Sequence, residues 1–358
     1  MVKGTIKRSE DMKALVFKGI NEMSVMDVPK PEIAENEILI KVDSCSICGT
    51  DVRTYKSGHT RIKGERILGH EFSGTVAEVG KDISGYNIGD RVIVVPGIPC
   101  GKCYYCQHGM QNLCDNRKII GFDFDGAFAE YVKVPAIAIE MGNVKRIPDS
   151  LSLRNACLIE PFTAIYNGQN LLNISIGSSV AIIGGGPIGL MHSLQARYRG
   201  ASKIALFDLS EDRCKMAERF DIDFIVNSGT KDPIEEADKI TNGRGFDVVI
   251  VSCGSGIAQL QALQMVRKNG RVSFFAGLPH NNSIIQLDTN LIHYKQIGVF
   301  GANGSGPNEY EATIDFLGSG RINISDIIST ELSIENALKG FEIVQTASAL
   351  KVVIHPNM

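Results

Sequence analysis

Residues 180–191 read VAIIGGGPIGLM, an apolar run with β-branched Val180, Ile182 and Ile183 that passes directly into Gly184, Gly185, Gly186, Pro187 and Gly189. Four apolar residues, three of them β-branched, followed by a glycine cluster predict a buried strand ending in a tight turn. Pro187 is suited to the first position of a helix, where its missing N–H costs nothing. Downstream, short apolar runs at Lys203–Asp208, Phe224–Asn227, 247–252, 271–276 and 297–300 alternate with stretches of helical spacing such as 210–220 and 257–268. Six strands with intervening helices predict a doubly wound parallel sheet. Upstream, from Met12 to about Arg146, the pattern is shorter and β-like, with apolar runs at 14–17, 37–42, 74–79 and 91–95 broken by Pro, Gly and Asn. That half reads as an irregular, mostly antiparallel β domain, making the chain α/β overall. Past Ala302 the alternation stops. The tail, with a helix expected at 307–317 and a strand at 350–354, is expected to return to the first domain, and a ligand cleft is expected between the two.

The glycine loop carries chemistry only in this strand-to-helix context. Gly184 serves the turn, Gly186 lets a pyrophosphate approach the backbone, and Gly189 lets helix and strand pack closely. The helix end, from Pro187, Ile188 and Gly189, then offers phosphate its free N–H groups and partial positive charge. The next strand ends in Asp208, near the offset expected for an acid that binds the adenosine ribose hydroxyls. A carboxylate there repels a 2′-phosphate, so NAD is expected over NADP, with Arg213 modifying the local field.

Composition narrows the remaining classes. With 358 residues, 44% of them hydrophobic and 22% charged, the chain suits about two domains of roughly 150 residues and excludes disorder and miniature disulfide scaffolds. A net charge of −3 supplies no field for nucleic acid or anionic lipid. The run at 180–191 is broken by glycines and a proline, so no membrane span is expected. Residues 1–11 are charged and have no apolar centre, unlike a secretory signal, and a cytoplasmic location is expected.

Four of the nine cysteines, Cys100, Cys103, Cys106 and Cys114, fall at gaps of two, two and seven residues. Four thiolates in a Gly- and Pro-containing loop match a closed tetrahedral zinc site that replaces a hydrophobic core. An iron–sulfur cluster is the rival, disfavoured by the last gap and by the absence of a proline after Cys114. A second set is dispersed: Cys48 in Cys48-Gly49-Thr50-Asp51, His70-Glu71 after Gly69, and Glu160-Pro161. One thiolate, one imidazole and carboxylates form the incomplete ligand set that leaves zinc an open position. Cys45 could instead pair with Cys48 as a redox couple. Cys157, Cys214 and Cys253 read as packing residues.

These motifs, in this order, resemble the zinc-dependent medium-chain alcohol dehydrogenases, and most closely their polyol (sorbitol or L-iditol) dehydrogenase branch, from about Met12 onward. The resemblance implies a GroES-like catalytic domain over 1–161 with a structural zinc lobe at about 97–116, a Rossmann NAD-binding domain over 162–301, and a C-terminal return over 302–358. It implies Cys48 and His70 as catalytic zinc ligands, completed by Glu71 or Glu160, with Asp51 orienting His70 and Thr50 passing the substrate proton outward. Two zinc ions per chain, NAD, a small polyol or polyol phosphate as substrate, and a homo-dimer or homo-tetramer follow from the same resemblance. Two departures stand out. Arg53 replaces a relay histidine of many relatives and could meet a substrate phosphate or carboxylate, and the segment Gly301-Ala302-Asn303-Gly304 lacks the arginine and aromatic pattern of animal sorbitol dehydrogenases. Alternatives are a polyol-phosphate dehydrogenase, an L-threonine 3-dehydrogenase, a zinc-free quinone reductase relative or a non-catalytic NAD-binding protein.

Overall fold

In the computed structural model, which describes residues 11–279 and 282–358, the strand Ser179–Ile183 is buried along its whole length. It lies inside a six-stranded sheet of order Phe224–Asn227, Lys203–Asp208, Ser179–Ile183, Phe246–Val251, Val266–Phe274, Gly298–Gly301. Every neighbouring pair is parallel. Burial on both faces explains why the inner strands Lys203–Asp208, Ser179–Ile183 and Phe246–Val251 read as continuous apolar runs. Ala181, Phe207, Val249, Leu263 and Val272 belong to the core that the flanking helices close.

The expected helix over 257–268 is shorter than its spacing suggests. The helix is Gly256–Met265, and the strand Val266–Phe274 begins at the next residue. Its pairing with Phe246–Val251 jumps from Val266 to Arg271, so the polar residues between them bulge out around Asn269 at φ 55°. The helical periodicity of the sequence ran on into this bulge. The strand expected at 271–276 accordingly starts earlier and ends at Phe274.

One compact unit extends to Thr163 and resumes at Ser305; the other is Ala164–Gly304. These limits differ by a few residues from the sequence-based 161 and 301, because Ala164 lies inside the helix Ile159–Asn170, where the sequence has no punctuation. In the first unit the main sheet is built around Ile38–Ser46, which pairs antiparallel with Glu71–Val79, Tyr131–Val134 and Lys351–His355. A separate sheet joins Asp11–Gly19 to Glu22–Pro29 and Arg66–Ile67. The tail therefore does return, its last strand entering the first unit's sheet beside Cys45 and Ser46. The core there gathers Leu15, Ile40, Phe128, Val132, Phe341 and Val352.

No helix among the described residues is long and apolar enough to cross a membrane. The charged N-terminal stretch 1–11 lies, apart from Asp11, outside the described residues.

Candidate metal centres and dinucleotide site

The dispersed ligand set is brought together by strand register. Ser46 stands directly opposite Glu71, and Cys45 opposite Phe72. His70 and Glu71 thus sit where one strand begins, and Cys48 follows just after its partner strand ends. Cys48 also caps the helix Gly49–Ser57, its sulfur accepting the Thr50 N–H at 3.4 Å. Ligand atoms of Cys48, His70 and Glu71 all lie within 4.8 Å of one another.

Buried charges support this cluster from behind. One oxygen of Asp51, a residue 0% exposed, accepts the Cys48 backbone N–H at 3.0 Å. The other stands 3.3 Å from Nδ1 of His70, at an angle that leaves both atoms short of a well-formed hydrogen bond. Burial disfavours the imidazolium, but Asp51 and Cys48 outweigh it and raise the His70 pKa well above its ordinary value. Glu71 receives hydrogen bonds on Oε2 from Lys351 and from the Ser46 hydroxyl. Lys351 also donates to the Ile47 carbonyl at 3.3 Å, and although burial opposes its charge, Glu71 and Cys48 hold its pKa above the usual lysine value. Nothing in the sequence marked Lys351 or Ser46. Their role exists only once three strands are paired.

Glu160 opens the helix Ile159–Asn170 and stands outside the three-residue cluster. Its residue keeps some accessible surface, yet its carboxyl is packed closely enough that desolvation, opposed by His70 and reinforced by Glu71, raises its pKa to about 7. Thr50 is partly exposed, and Arg53 is exposed on the helix Gly49–Ser57. Cys45 is buried and unpaired, so no Cys45–Cys48 disulfide is present.

The lobe is assembled from a short ladder, Gly97–Ile98 with Lys118–Ile119, that closes its base. Sγ of Cys103 lies 3.5 Å and Sγ of Cys100 4.0 Å from Sγ of Cys106, and Sγ of Cys114 accepts the Cys100 N–H at 3.2 Å. A tetrahedron with Zn–S bonds of about 2.3 Å has edges of about 3.8 Å, whereas a disulfide requires about 2.05 Å. The spacing fits four separate thiolates around one ion. Backbone N–H groups, first that of Lys102, lower Cys100 to about 6, while burial raises Cys106 to about 12. Tyr104 and Leu113 are exposed, leaving the lobe little apolar core of its own.

In the second unit, Gly184 takes φ 112°, and a Cβ on Gly189 would stand 1.8 Å from the Gly184 carbonyl oxygen, so no other residue fits there. Gly186 caps the helix Pro187–Tyr198 with no side-chain hydrogen bond, leaving its first N–H groups open to an anion. Nη1 of Arg213 is buried, unpartnered, and 3.3 Å from where a Gly186 Cβ would lie. Asp208 accepts the Gly185 N–H at 2.5 Å and the Ser210 N–H at 2.8 Å. Beside it opens a cavity of about 240 Å³ lined by Ile183, Phe207, Asp208, Ile257, Ala258 and Cys253. Cys253 is therefore a wall residue, partly exposed, and not the inert packing expected of it. Cys157 and Cys214 are buried. A larger cavity of about 550 Å³ in the first unit, between Met12, Met26, Phe124 and Tyr131, contains none of the candidate ligands.

Comparison with known proteins agrees with this geometry. Residues 34–143 match the alcohol dehydrogenase GroES-like domain, and residues 187–319 match the zinc-binding dehydrogenase family. A sorbitol dehydrogenase of Bacillus subtilis is 35% identical over 354 residues, 97% of this chain and 98% of that one. An L-threonine 3-dehydrogenase of Pyrococcus furiosus is 37% identical over 337 residues, 93% of this chain and 94% of that one. Among solved structures, a Sinorhizobium meliloti protein bound to NADP superposes with a TM-score of 0.90 at 31% identity, covering 97% of this chain and 99% of its own. The alcohol dehydrogenase TADH of Thermus sp. ATN1 gives 0.88 at 30% identity, covering 96% and 99%.

Proposed function

The chain belongs to the zinc-type medium-chain alcohol dehydrogenase family, and from that premise we propose that it oxidises a secondary alcohol of a polyol or sugar-alcohol derivative to a ketone, with NAD as hydride acceptor. The observation that carries this reading is the convergence of one thiol, one imidazole and one carboxylate, Cys48, His70 and Glu71, within 4.8 Å. Cys48, His70 and Glu71 would hold a zinc ion, which would supply a Lewis acid that makes a substrate hydroxyl acidic enough to need no strong base.

The surrounding side chains have separable tasks. Asp51 ties the Cys48 backbone to the His70 ring and so fixes the two ligands relative to each other. Lys351 and Ser46 occupy Oε2 of Glu71, and Oε1 has no hydrogen-bond partner among the described residues, so it is the oxygen free to meet a metal. Thr50 carries the substrate proton outward. Glu160, whose pKa burial raises to about 7, is the alternative carboxylate for the metal. In the second unit the open helix end at Gly186 receives the pyrophosphate, Asp208 the adenosine ribose, and Arg213 a neighbouring oxygen. NAD held there would supply the hydride acceptor for the carbinol carbon, and Thr50 would pass the hydroxyl proton outward. Cys100, Cys103, Cys106 and Cys114 hold a second, structural zinc.

The test is NADH formation by protein loaded with both zinc ions, across polyols, their phosphate esters, vicinal diols and threonine. Oxidation of a secondary alcohol, faster with NAD than with NADP, is expected. Silence across the panel with both metals counted would overturn the reading.

A further inference from the structure

The cavity beside Asp208 has walls of two kinds. Leu209 and Ile257, which both line it, are large apolar side chains and yet are 75% and 70% exposed. Leu209 directly follows the strand Lys203–Asp208, and Ile257 lies in the first turn of the helix Gly256–Met265. Apolar surface left open to water on both elements gains from being covered by the face of a flat ring. In the NAD reading of this site, on which the inference rests, Asp208 receives the adenosine ribose. The base on that ribose is then the ring nearest these walls.

Two polar side chains on the walls are uncommitted. Gln261 lines the cavity one helical turn beyond Ile257, at the spacing that puts two residues on one helix face. It is partly exposed, and among the described residues neither end of its carboxamide has a hydrogen-bond partner. Ser228 lines the cavity from the sheet side. Parallel pairing sets Asn227 beside Asp208, and the Ser228 N–H donates to the Asp208 carbonyl at 2.8 Å. The Ser228 hydroxyl is buried with no partner. By contrast, the hydroxyl of Ser255 on the same wall is already used, accepting the Ala258 N–H at 3.3 Å. A buried hydroxyl left in this condition is destabilising until a ligand or a water completes it.

The chemistry of the amide selects among bases. A carboxamide carries an acceptor and a donor side by side, the complement of the adenine edge at which the 6-amino group donates and N7 accepts. Hypoxanthine has an oxo group in place of the amine and so presents two acceptors along that edge. One end of the amide must then face a like group, whichever way it is turned. A hydroxyl is unselective, because it donates or accepts as it rotates.

We propose that Gln261 reads the 6-amino edge of the adenine ring, with Ser228 supplying an unselective hydrogen bond to the same base, so that this chain selects NAD over dinucleotides that carry another purine. The glycine loop and Asp208 recognise phosphate and ribose, which all such dinucleotides share. Gln261 adds recognition of the base itself.

The test compares the dissociation constants of NADH and of reduced nicotinamide hypoxanthine dinucleotide, read by nicotinamide fluorescence on the full chain with both zinc ions bound, so that turnover plays no part. NADH is expected to bind at least about tenfold more tightly. Gln261→Leu keeps the size of the side chain and should reduce that ratio to about threefold or less, by weakening NADH. Gln261→Ala, which retains a strong helix former, makes the same comparison should the leucine variant not fold. Ser228→Ala should weaken both dinucleotides alike and leave their ratio unchanged. Equal affinities in the unaltered chain, or a ratio that the Gln261 variants leave intact, overturn the assignment while the NAD reading stands. Binding of neither dinucleotide overturns both.

Discussion

Lys351 donates to Oε2 of Glu71 from 280 residues further along the chain, and the two side chains are only 4% and 1% exposed. A buried ion pair of this kind adds little over an apolar pair, but removing one partner leaves the other charge stranded. Lys351→Met is expected to cost about 3–5 kcal/mol, read as a lower denaturant midpoint, and to weaken zinc binding at the Cys48 centre. An unchanged midpoint would show that Glu71 finds another counter-ion.

Cys48→Ala and His70→Ala should each abolish alcohol oxidation and lower the zinc count from about two to about one per chain. NADH binding, followed by its fluorescence, should survive, because the glycine loop lies in the other compact unit. Residual turnover above about one part in a thousand would refute the ligand assignment.

Replacing a lobe cysteine should have the opposite signature. Cys103→Ser should release the structural ion and lower the melting temperature, because the metal is the lobe's main source of cohesion. The zinc protein should be colourless; visible absorption from a cluster would overturn the tetrahedral zinc reading.

Glu160 supplies a pH dependence in the metal-free protein. Burial raises its pKa from 4.5 to about 7 in the fold, so between these values the unfolded chain has released a proton that the native state retains. Stability should therefore fall as pH rises through that window and level off above it. Glu160→Gln should remove this component, which equilibrium denaturation at several pH values can isolate. A pH profile identical in the variant would rule Glu160 out as its source.

Asp208 should set cofactor choice. Asp208→Ser removes the carboxylate that accepts the Gly185 N–H and repels a 2′-phosphate, so the ratio of kcat/KM for NADP to that for NAD should rise at least tenfold. A fixed ratio would shift the discrimination to Arg213.

What could be read from the sequence was whatever is local. The glycine loop and the four lobe cysteines carry their geometry in spacings of a few residues, so a strand-to-helix turn and a thiol cluster are local features. The parallel sheet was legible because its inner strands are buried on both faces. The start of the strand at Val266 was not, since a bulge of polar residues continued a helical pattern past Met265. Lys351 and Ser46 escaped notice for a different reason. Each is an ordinary surface-type residue until strand pairing removes its solvent and gives it Glu71 as a partner.

The sheet of the first unit also imposes an order of events during synthesis. Ile38–Ser46 and Glu71–Val79 are translated early, whereas Lys351–His355, which pairs with the former, is made only after the whole of Ala164–Gly304. A ribosome-bound chain stalled before residue 351 holds Cys48, His70 and Glu71 but lacks the ammonium that secures Glu71. The end of its central strand at Cys45 and Ser46 meanwhile has one edge unpaired. Competence at the metal centre is thus reached late in biogenesis, and until then the nascent protein presents the exposed backbone that chaperones and neighbouring chains can engage.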